Sequence, residues 1–201
     1  MPVTDFESTP SAPGSRARRS AATRRRLRES GLELFAERGF HNVTTHDIAH
    51  HAGLAAGTFY LHYSDKQALC TEITERAVAD MRERIQTAML GAIDNEERVT
   101  LHATALVDFA AANRTTIQIL FSGDASAIEH DVLNTLAESV EKVRTAQGSI
   151  PIGVNPGVLS QAVVGMYARV IAWWVEDPSR ATREEVIAAL TRIQLSGTQP
   201  G

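Results

Sequence analysis

Between Thr44 and Lys66 the sequence sets apolar residues, small residues and one glycine at spacings suited to presenting a short helix to a duplex. Ile48, Ala49, Ala52, Leu54 and Phe59 fall where two short helices pack across a tight turn. Ala49 and Ala52 let the helices approach, and Gly53 supplies the turn. The outward face of the second of these helices is Ala55, Ala56, Gly57 and Thr58, with little bulk to stop it entering a major groove. Upstream stand Arg16, Arg18, Arg19, Arg24, Arg25, Arg26 and Arg28. Such a segment suits phosphates or a minor groove; the alternative is a solvated basic tail.

Other chemistries find less support. His46 and His50 are spaced i, i+4, as a metal pair requires, and His51 is adjacent, but no Cys or carboxylate completes a set; no metal is expected. His102 and His130 are isolated. The chain has no phosphate-cradling glycine loop, zinc-hydrolase motif or nucleophile elbow, so neither an enzyme nor a cofactor is expected. The single cysteine, Cys70, excludes an internal disulfide and reads as a buried, inert thiol rather than a redox sensor.

These residues need elements to hold them. Leu27, Gly31, Leu34 and Phe35 predict a first helix from about Ser20 to Arg38, ended by Gly39. Thr44 with Asp47 forms a capping box for a second helix, Thr45 to about His51. A third spans roughly Ala55 to Tyr63. Ser64 with Gln67 is expected to open a long fourth, along which Leu69, Ile73, Ala77, Met81, Ile85 and Ala88 form one stripe. Further helices are predicted over 96–114, 115–121 and 127–146. Asn155 and Pro156 open an eighth that ends near Glu176, and Thr182 with Glu185 opens a ninth. No strand signal or repeat appears. The expected fold is all-α with about nine helices: a disordered basic arm over 1–19, a three-helix helix-turn-helix domain over 20–66, and a helical effector-binding and dimerisation domain over 67–201.

Composition agrees. Hydrophobic residues at 43% and charged residues at 22% describe an ordinary globular chain. The net charge of -4 is unevenly spread: Arg16 to Lys66 holds nine basic and five acidic residues (+4), and Gln67 onward eleven and seventeen (-6). A local basic excess acts on its own once salt screens the rest. The first fifteen residues carry no secretory signature, and no apolar run approaches the roughly 20 residues of a membrane span. A cytoplasmic protein, drawn to the nucleoid by DNA, is expected.

The run Thr44 to Leu69, with Gly57-Thr58-Phe59-Tyr60-Leu61-His62-Tyr63 and Lys66, resembles the TetR family of bacterial repressors, and the match covers Arg19 to Leu69. The resemblance implies phosphate contacts from Tyr60, His62 and Lys66, with the Thr45 hydroxyl or amide added at the second helix's positive end. It places His46, Ala56, Gly57 and Thr58 at base edges. Thr58 is able to hydrogen-bond there and Ala56 to rest on a thymine methyl. Strong donors are few, so specificity leans on His46, on duplex shape or on the arm residues Arg16, Arg18, Arg19 and Arg24. For Tyr60 the structural alternative is a core aromatic with its hydroxyl at the rim.

The eighth helix is apolar almost all round and needs cover on two sides. With the ninth helix it suits a four-helix homodimer interface, read as Val163, Tyr167, Val170, Trp174, Val186, Leu190 and Ile193, which the family resemblance also implies. Met81, Met89, His102, Phe109, Phe121, Met166 and Trp173 are candidates for an apolar effector pocket, with plain core packing as the alternative; Asn113 and Gln118 are possible orienting groups. The expectation is a homodimeric regulator of double-stranded DNA, a repressor released from a palindromic operator when an unknown small apolar effector moves the fourth helix. The alternatives are a ligand-independent architectural DNA binder and a small-molecule-binding helical protein without regulatory DNA binding.

Overall fold

The computed structural model describes residues 14–121 and 126–198, which form an all-α protein. Among the described residues there are nine α-helices and no strand: α1 (Ser15–Arg38), α2 (Thr45–His51), α3 (Ala56–Tyr60), α4 (Lys66–Ala88), α5 (Asn95–Ala112), α6 (Arg114–Leu120), α7 (Ser126–Ala146), α8 (Pro156–Glu176) and α9 (Arg183–Thr198). A single 3-10 turn, Pro178–Arg180, separates the last two.

Local chemistry sets the boundaries. The Thr44 hydroxyl accepts from the Asp47 amide at 3.1 Å, and the Asp47 carboxylate accepts from the Thr44 amide at 2.9 Å, which closes the expected capping box. The Thr44 hydroxyl also donates to the Asp47 carboxylate at 2.6 Å, and this bond, with the one from the Thr44 amide, holds the Asp47 carboxyl below the usual carboxylate range. Asn155 caps α8, with Pro156 in its first turn. Two starts differ from expectation. α4 is capped by Asp65, whose carboxylate accepts from the Ala68 amide at 2.7 Å, and not by Ser64. α1 begins at Ser15: the Arg, Ala and Ser residues there are tolerated in a helix, and the Gly14 carbonyl accepts the Arg18 amide. The part of the expected disordered arm over 15–19 is therefore helical; the part over 1–13 lies outside the described residues. α3 is shorter than expected, closing at Tyr60 with Leu61 as its C-cap.

Two apolar clusters organise the chain. The first joins Leu27, Leu34 and Phe35 of α1, Ile48 and Ala49 of α2, and Phe59 of α3 to Leu69, Cys70 and Ile73 of α4. Ile119 and Leu120 of α6 complete it. Gly31 marks the tightest crossing: a Cβ there would meet Leu69 Cδ2 at 2.6 Å, so α1 and α4 approach as closely as they do only without a side chain. The second cluster gathers Met81 and Ile85 of α4, Val107 and Phe109 of α5, Tyr167, Ile171 and Trp174 of α8, and Val186 and Leu190 of α9. α4 thus belongs to both cores. Its length, about 34 Å at 1.5 Å per residue, links them as one rod.

α8 amends the expectation about apolar segments, since by length and composition alone it is long enough to cross a membrane. It reads that way because one face lines the second core while much of the other is also apolar, including exposed Val158 and Trp173. It packs along α7, and its last carbonyls are held from α6: Arg114 donates to Val175 O (2.6 Å) and Glu176 O (2.9 Å), and Gln118 to Val175 O (3.0 Å). Gln118 is thereby used in ending a helix rather than in orienting a ligand. The Asn113 amide is likewise turned back on Phe109 O at 2.9 Å.

Candidate nucleic-acid interface

The two short helices stand on the first core through Ile48, Ala49 and Phe59, all fully buried, with Ala52 buried and Leu54 partly so. Gly53, at φ +65°, makes the turn between them in a conformation that only glycine adopts without strain. From α1, Arg26 donates to the Ala52 carbonyl and so satisfies the end of α2. What remains outside is the expected bare face: Ala55, Ala56 and Gly57 are exposed and Thr58 partly so, and a Cβ at Gly57 would touch nothing within 4 Å.

Two of the four residues expected to hold phosphate come together. The Tyr60 and Thr45 hydroxyls lie 2.8 Å apart, in hydrogen-bond contact, at the N-terminal end of α2. Tyr60 is 61% exposed, which disposes of the core-aromatic alternative; only its ring edge leans on Phe59. His62 is half-buried and lines a separate shallow groove with Arg24, Tyr63 and Glu72. Lys66 differs most from expectation. Its ammonium donates to the carbonyls of Phe40 (2.7 Å), Val43 (3.0 Å) and His41 (3.3 Å), and sits 4.5 Å over the Phe40 ring. All three N–H bonds are used, so the first residue of α4 is stapled to the loop that leads into α2.

The arginines divide in the same way. Arg16, Arg18 and Arg19 are exposed on the first turns of α1. Arg24 pairs with Glu72 of α4 and covers the Tyr63 ring, while Arg28 reaches the same carboxylate at 2.7 Å. Burial alone would raise the Glu72 carboxyl, but the hydrogen bond from Arg24 and the charges of both guanidinia outweigh it and hold it below the usual range. Arg24 therefore ties α1 to α4 and is no part of a free arm. His46 is exposed, its ring parallel to that of His50 at 6.5 Å. Burial pushes the Cys70 thiol up to about 11, leaving it protonated.

In the body, the expected interface residues are mostly internal. Val163, Tyr167, Trp174, Val186 and Leu190 are buried in the subunit's own second core, and Val170 packs against it; only Ile193 is exposed, at 54%. The exposed stripe of α8 is Val158, Ala162, Gly165, Arg169 and Trp173, about one residue, or 100°, from the face expected. Trp173 correspondingly leaves the list of pocket residues: it is 37% exposed with Arg180 over its ring, whereas Trp174 is 6% exposed and donates its indole N–H to Ala181 O at 2.9 Å. Met81 and Phe109 are buried in the second core, and Met89, Phe121 and Met166 pack partly buried against it. His102 lies edge-on to Tyr167, with ring centroids 5.0 Å apart, and its Nδ1 is buried without a hydrogen-bond partner. Burial first, and the Arg144 charge second, lower the His102 imidazole to about 4. The Tyr167 hydroxyl donates to Gln194 Oε1 at 2.5 Å.

No sequence signal could have found the Lys66 staple or the Glu72 link, because the lysine's partners are backbone carbonyls and the glutamate lies over forty residues from its arginines.

Residues 27–73 match the family model described as bacterial regulatory proteins, tetR family. The transcriptional repressor KstR2 of Rhodococcus jostii is 25% identical over 187 residues, covering 87% of this chain and 90% of that protein. The transcriptional activator FasR of Mycolicibacterium smegmatis is 27% identical over 92 residues, which are 46% of this chain and 42% of FasR. Among solved structures, the transcriptional regulator FadR of Bacillus subtilis in complex with stearoyl-CoA superposes with a TM-score of 0.67 at 19% identity, covering 87% of this chain and 99% of that one.

Proposed function

We propose that the chain is a transcriptional regulator of the TetR family, whose model its residues 27–73 match, and that it works as a homodimer that holds a palindromic operator and releases it when a small molecule enters the body. One observation carries the reading: Thr45 and Tyr60 set two hydroxyls side by side at the positive end of α2, beside an α3 face that carries almost no bulk. The hydroxyls grip one phosphate. Ala56, Gly57 and Thr58 then enter the major groove close to the base edges, and His46 supplies the nearest ring donor. With so few hydrogen-bonding groups on that face, groove width and a thymine methyl against Ala56 contribute much of the discrimination.

The dimer uses the exposed stripe of α8, from Val158 through Ala162 and Gly165 to Trp173, with Ile193 of α9 beside it. A Cβ at Gly165 would meet nothing, so a partner helix has room to come close there. Two-fold pairing places two α3 helices on successive turns of one duplex face. The effector occupies the second core, and the stearoyl-CoA held by the Bacillus FadR suggests a molecule with a long apolar chain. Met89, Phe121 and Met166, already only partly buried, are the side chains free to shift for it. α4 carries the change to the head, since it belongs to both cores and starts at the Lys66 staple.

Selection of bound sequences from random DNA tests the reading. Enrichment of an inverted repeat is expected, with binding that weakens steeply as salt rises. Uniform recovery of all sequences would leave only an architectural binder, and no recovery would leave a helical protein without DNA regulation.

A further inference from the structure

Five of the chain's seven histidines, His41, His46, His50, His51 and His62, fall within the helix-turn-helix head; only His102 and His130 lie in the body. Histidine is the side chain whose ordinary charge change falls between about pH 5 and 8. The +4 over Arg16 to Lys66 counts all five as neutral, and each proton taken up adds one charge.

The five are not equivalent. His41 turns its ring edge-on to Phe40, His51 lies 3.7 Å from the Glu33 carboxylate of α1, and His62 is half-buried in the groove that also holds Arg24, Glu72 and Glu75. His46 and His50 stand one turn apart on the side of α2 away from buried Ile48 and Ala52. Both are exposed, their rings are parallel with centroids 6.5 Å apart, and neither has an ion pair among the described residues. The fixed charges around them cancel. On α2 itself, Asp47 accepts from the Thr44 amide and hydroxyl. From α1, Glu33 faces His51, Arg26 donates to Ala52 O, and Glu37 and Arg38 lie about one turn beyond Glu33. The loop before α2 holds the Lys66 ammonium, and α3 carries no charged residue, only the Tyr60 phenol bonded to Thr45. With three carboxylates against three cations, the sign of this face is decided by the two imidazoles.

We infer that His46 and His50 form a proton-dependent contact to the DNA backbone, so that the operator is held more tightly at about pH 6 than at about pH 8. This rests on the reading of the head as a DNA-binding unit and gives that unit a second input, acidity, besides the effector. His46 adjoins the Thr45–Tyr60 hydroxyls, and His50 continues the line one turn along α2. A phosphate beside the rings favours their charged forms, and by reciprocity charged rings hold the phosphate more tightly. The same phosphate relieves the repulsion between two charged rings this close. In the body, His102 is lowered to about 4 and stays neutral across this window.

Anisotropy of the full chain on the selected operator, at about pH 6 and about pH 8 and between about 50 and 200 mM salt, tests it. Affinity is expected to be about tenfold or more higher at the lower pH. The slope of log K against log salt is expected to steepen by about 0.9 for each charged ring that meets a phosphate, hence by about 1.8 for one ring per subunit of a dimer. His46→Gln combined with His50→Gln is expected to lose this increment in both affinity and slope; both positions are exposed, so folding survives the change. His51→Gln and His62→Gln, made separately, are expected to keep the increment. Equal slopes at the two pH values, an increment that survives the His46 and His50 pair, or one lost in either single variant would overturn the inference and leave the head a DNA binder. Failure to recover any bound DNA at either pH would sink the DNA-binding reading itself, and this inference with it.

Discussion

Replacing Lys66 with Met separates two roles for this residue that a simple loss of affinity would confuse. The aliphatic stem survives, while three hydrogen bonds from a charged donor and the contact over Phe40 are lost. A hydrogen bond to a charged group is worth roughly 1.5–3 kcal/mol, and a partly exposed cation–π contact about 0.5–1 kcal/mol. His41 and Asn42 are exposed, so water re-solvates part of the freed carbonyl set, and a net loss of about 2–3 kcal/mol follows. For a chain of this size that is a fall in Tm of about 4–12 °C by scanning calorimetry. The DNA assay is anisotropy on the selected operator between about 50 and 200 mM salt. A phosphate-binding lysine contributes about 0.9 to the slope of log K against log salt, so a dimer stripped of two would lose about 1.8. A staple loses affinity through the pose of α2 and leaves the slope where it was. A slope reduced by nearly two, with an unchanged Tm, would refute the staple and return Lys66 to the DNA backbone.

Tyr60→Phe removes one of two paired exposed hydroxyls; stability should change by less than about 0.5 kcal/mol while operator affinity falls up to about tenfold, and unaltered affinity would remove Tyr60 from the grip. Trp174→Ala opens the second core and should cost about 3–5 kcal/mol, whereas Trp173→Ala should leave the melting of the isolated subunit nearly unchanged and raise the dimer dissociation constant measured by sedimentation. His102 gives a pH signature. Its folded value of about 4 lies below the ordinary 6.5 of a histidine, so the unfolded chain binds the extra proton, and stability present above pH 6.5 is lost as pH falls towards 4. The loss is about 3 kcal/mol, and the difference in unfolding free energy between the wild type and His102→Phe should shrink by that amount across the window; a flat difference would contradict the burial of the ring.

Some of this could be read from the chain and some could not, for physical reasons that differ by element. α2 and α8 start where Thr44 with Asp47, and Asn155 with Pro156, say they do, because capping is a contact between near neighbours and their spacing is written in the sequence. At α4 two adjacent candidates, Ser64 and Asp65, compete for the same cap, and spacing alone does not choose between them. The extra turn at the start of α1 has no apolar periodicity, since Arg16, Arg18 and Arg19 all face solvent. The meeting of the Thr45 and Tyr60 hydroxyls fits the grouping that the family pattern implies. The reassignment of Arg24 and Lys66 was not legible, because each finds a partner through the fold's long-range closure. For α8, all-round apolarity announced two covered faces without saying which was which, and a single residue of phase exchanged Trp173 for Trp174.

That exchange gives the molecule its own optical gauge. Trp173 and Trp174 are the chain's two tryptophans, adjacent in sequence and opposite in surroundings, one open to water beneath Arg180 and one sealed with its indole bonded to Ala181. A solvent-facing indole emits at longer wavelength than a sealed one, and its emission shifts when another surface covers it. If two subunits meet over the α8 stripe as proposed, the red component of the spectrum follows that meeting on dilution, while the blue component stays constant until the chain unfolds, so one unlabelled sample would report association and folding on separate channels.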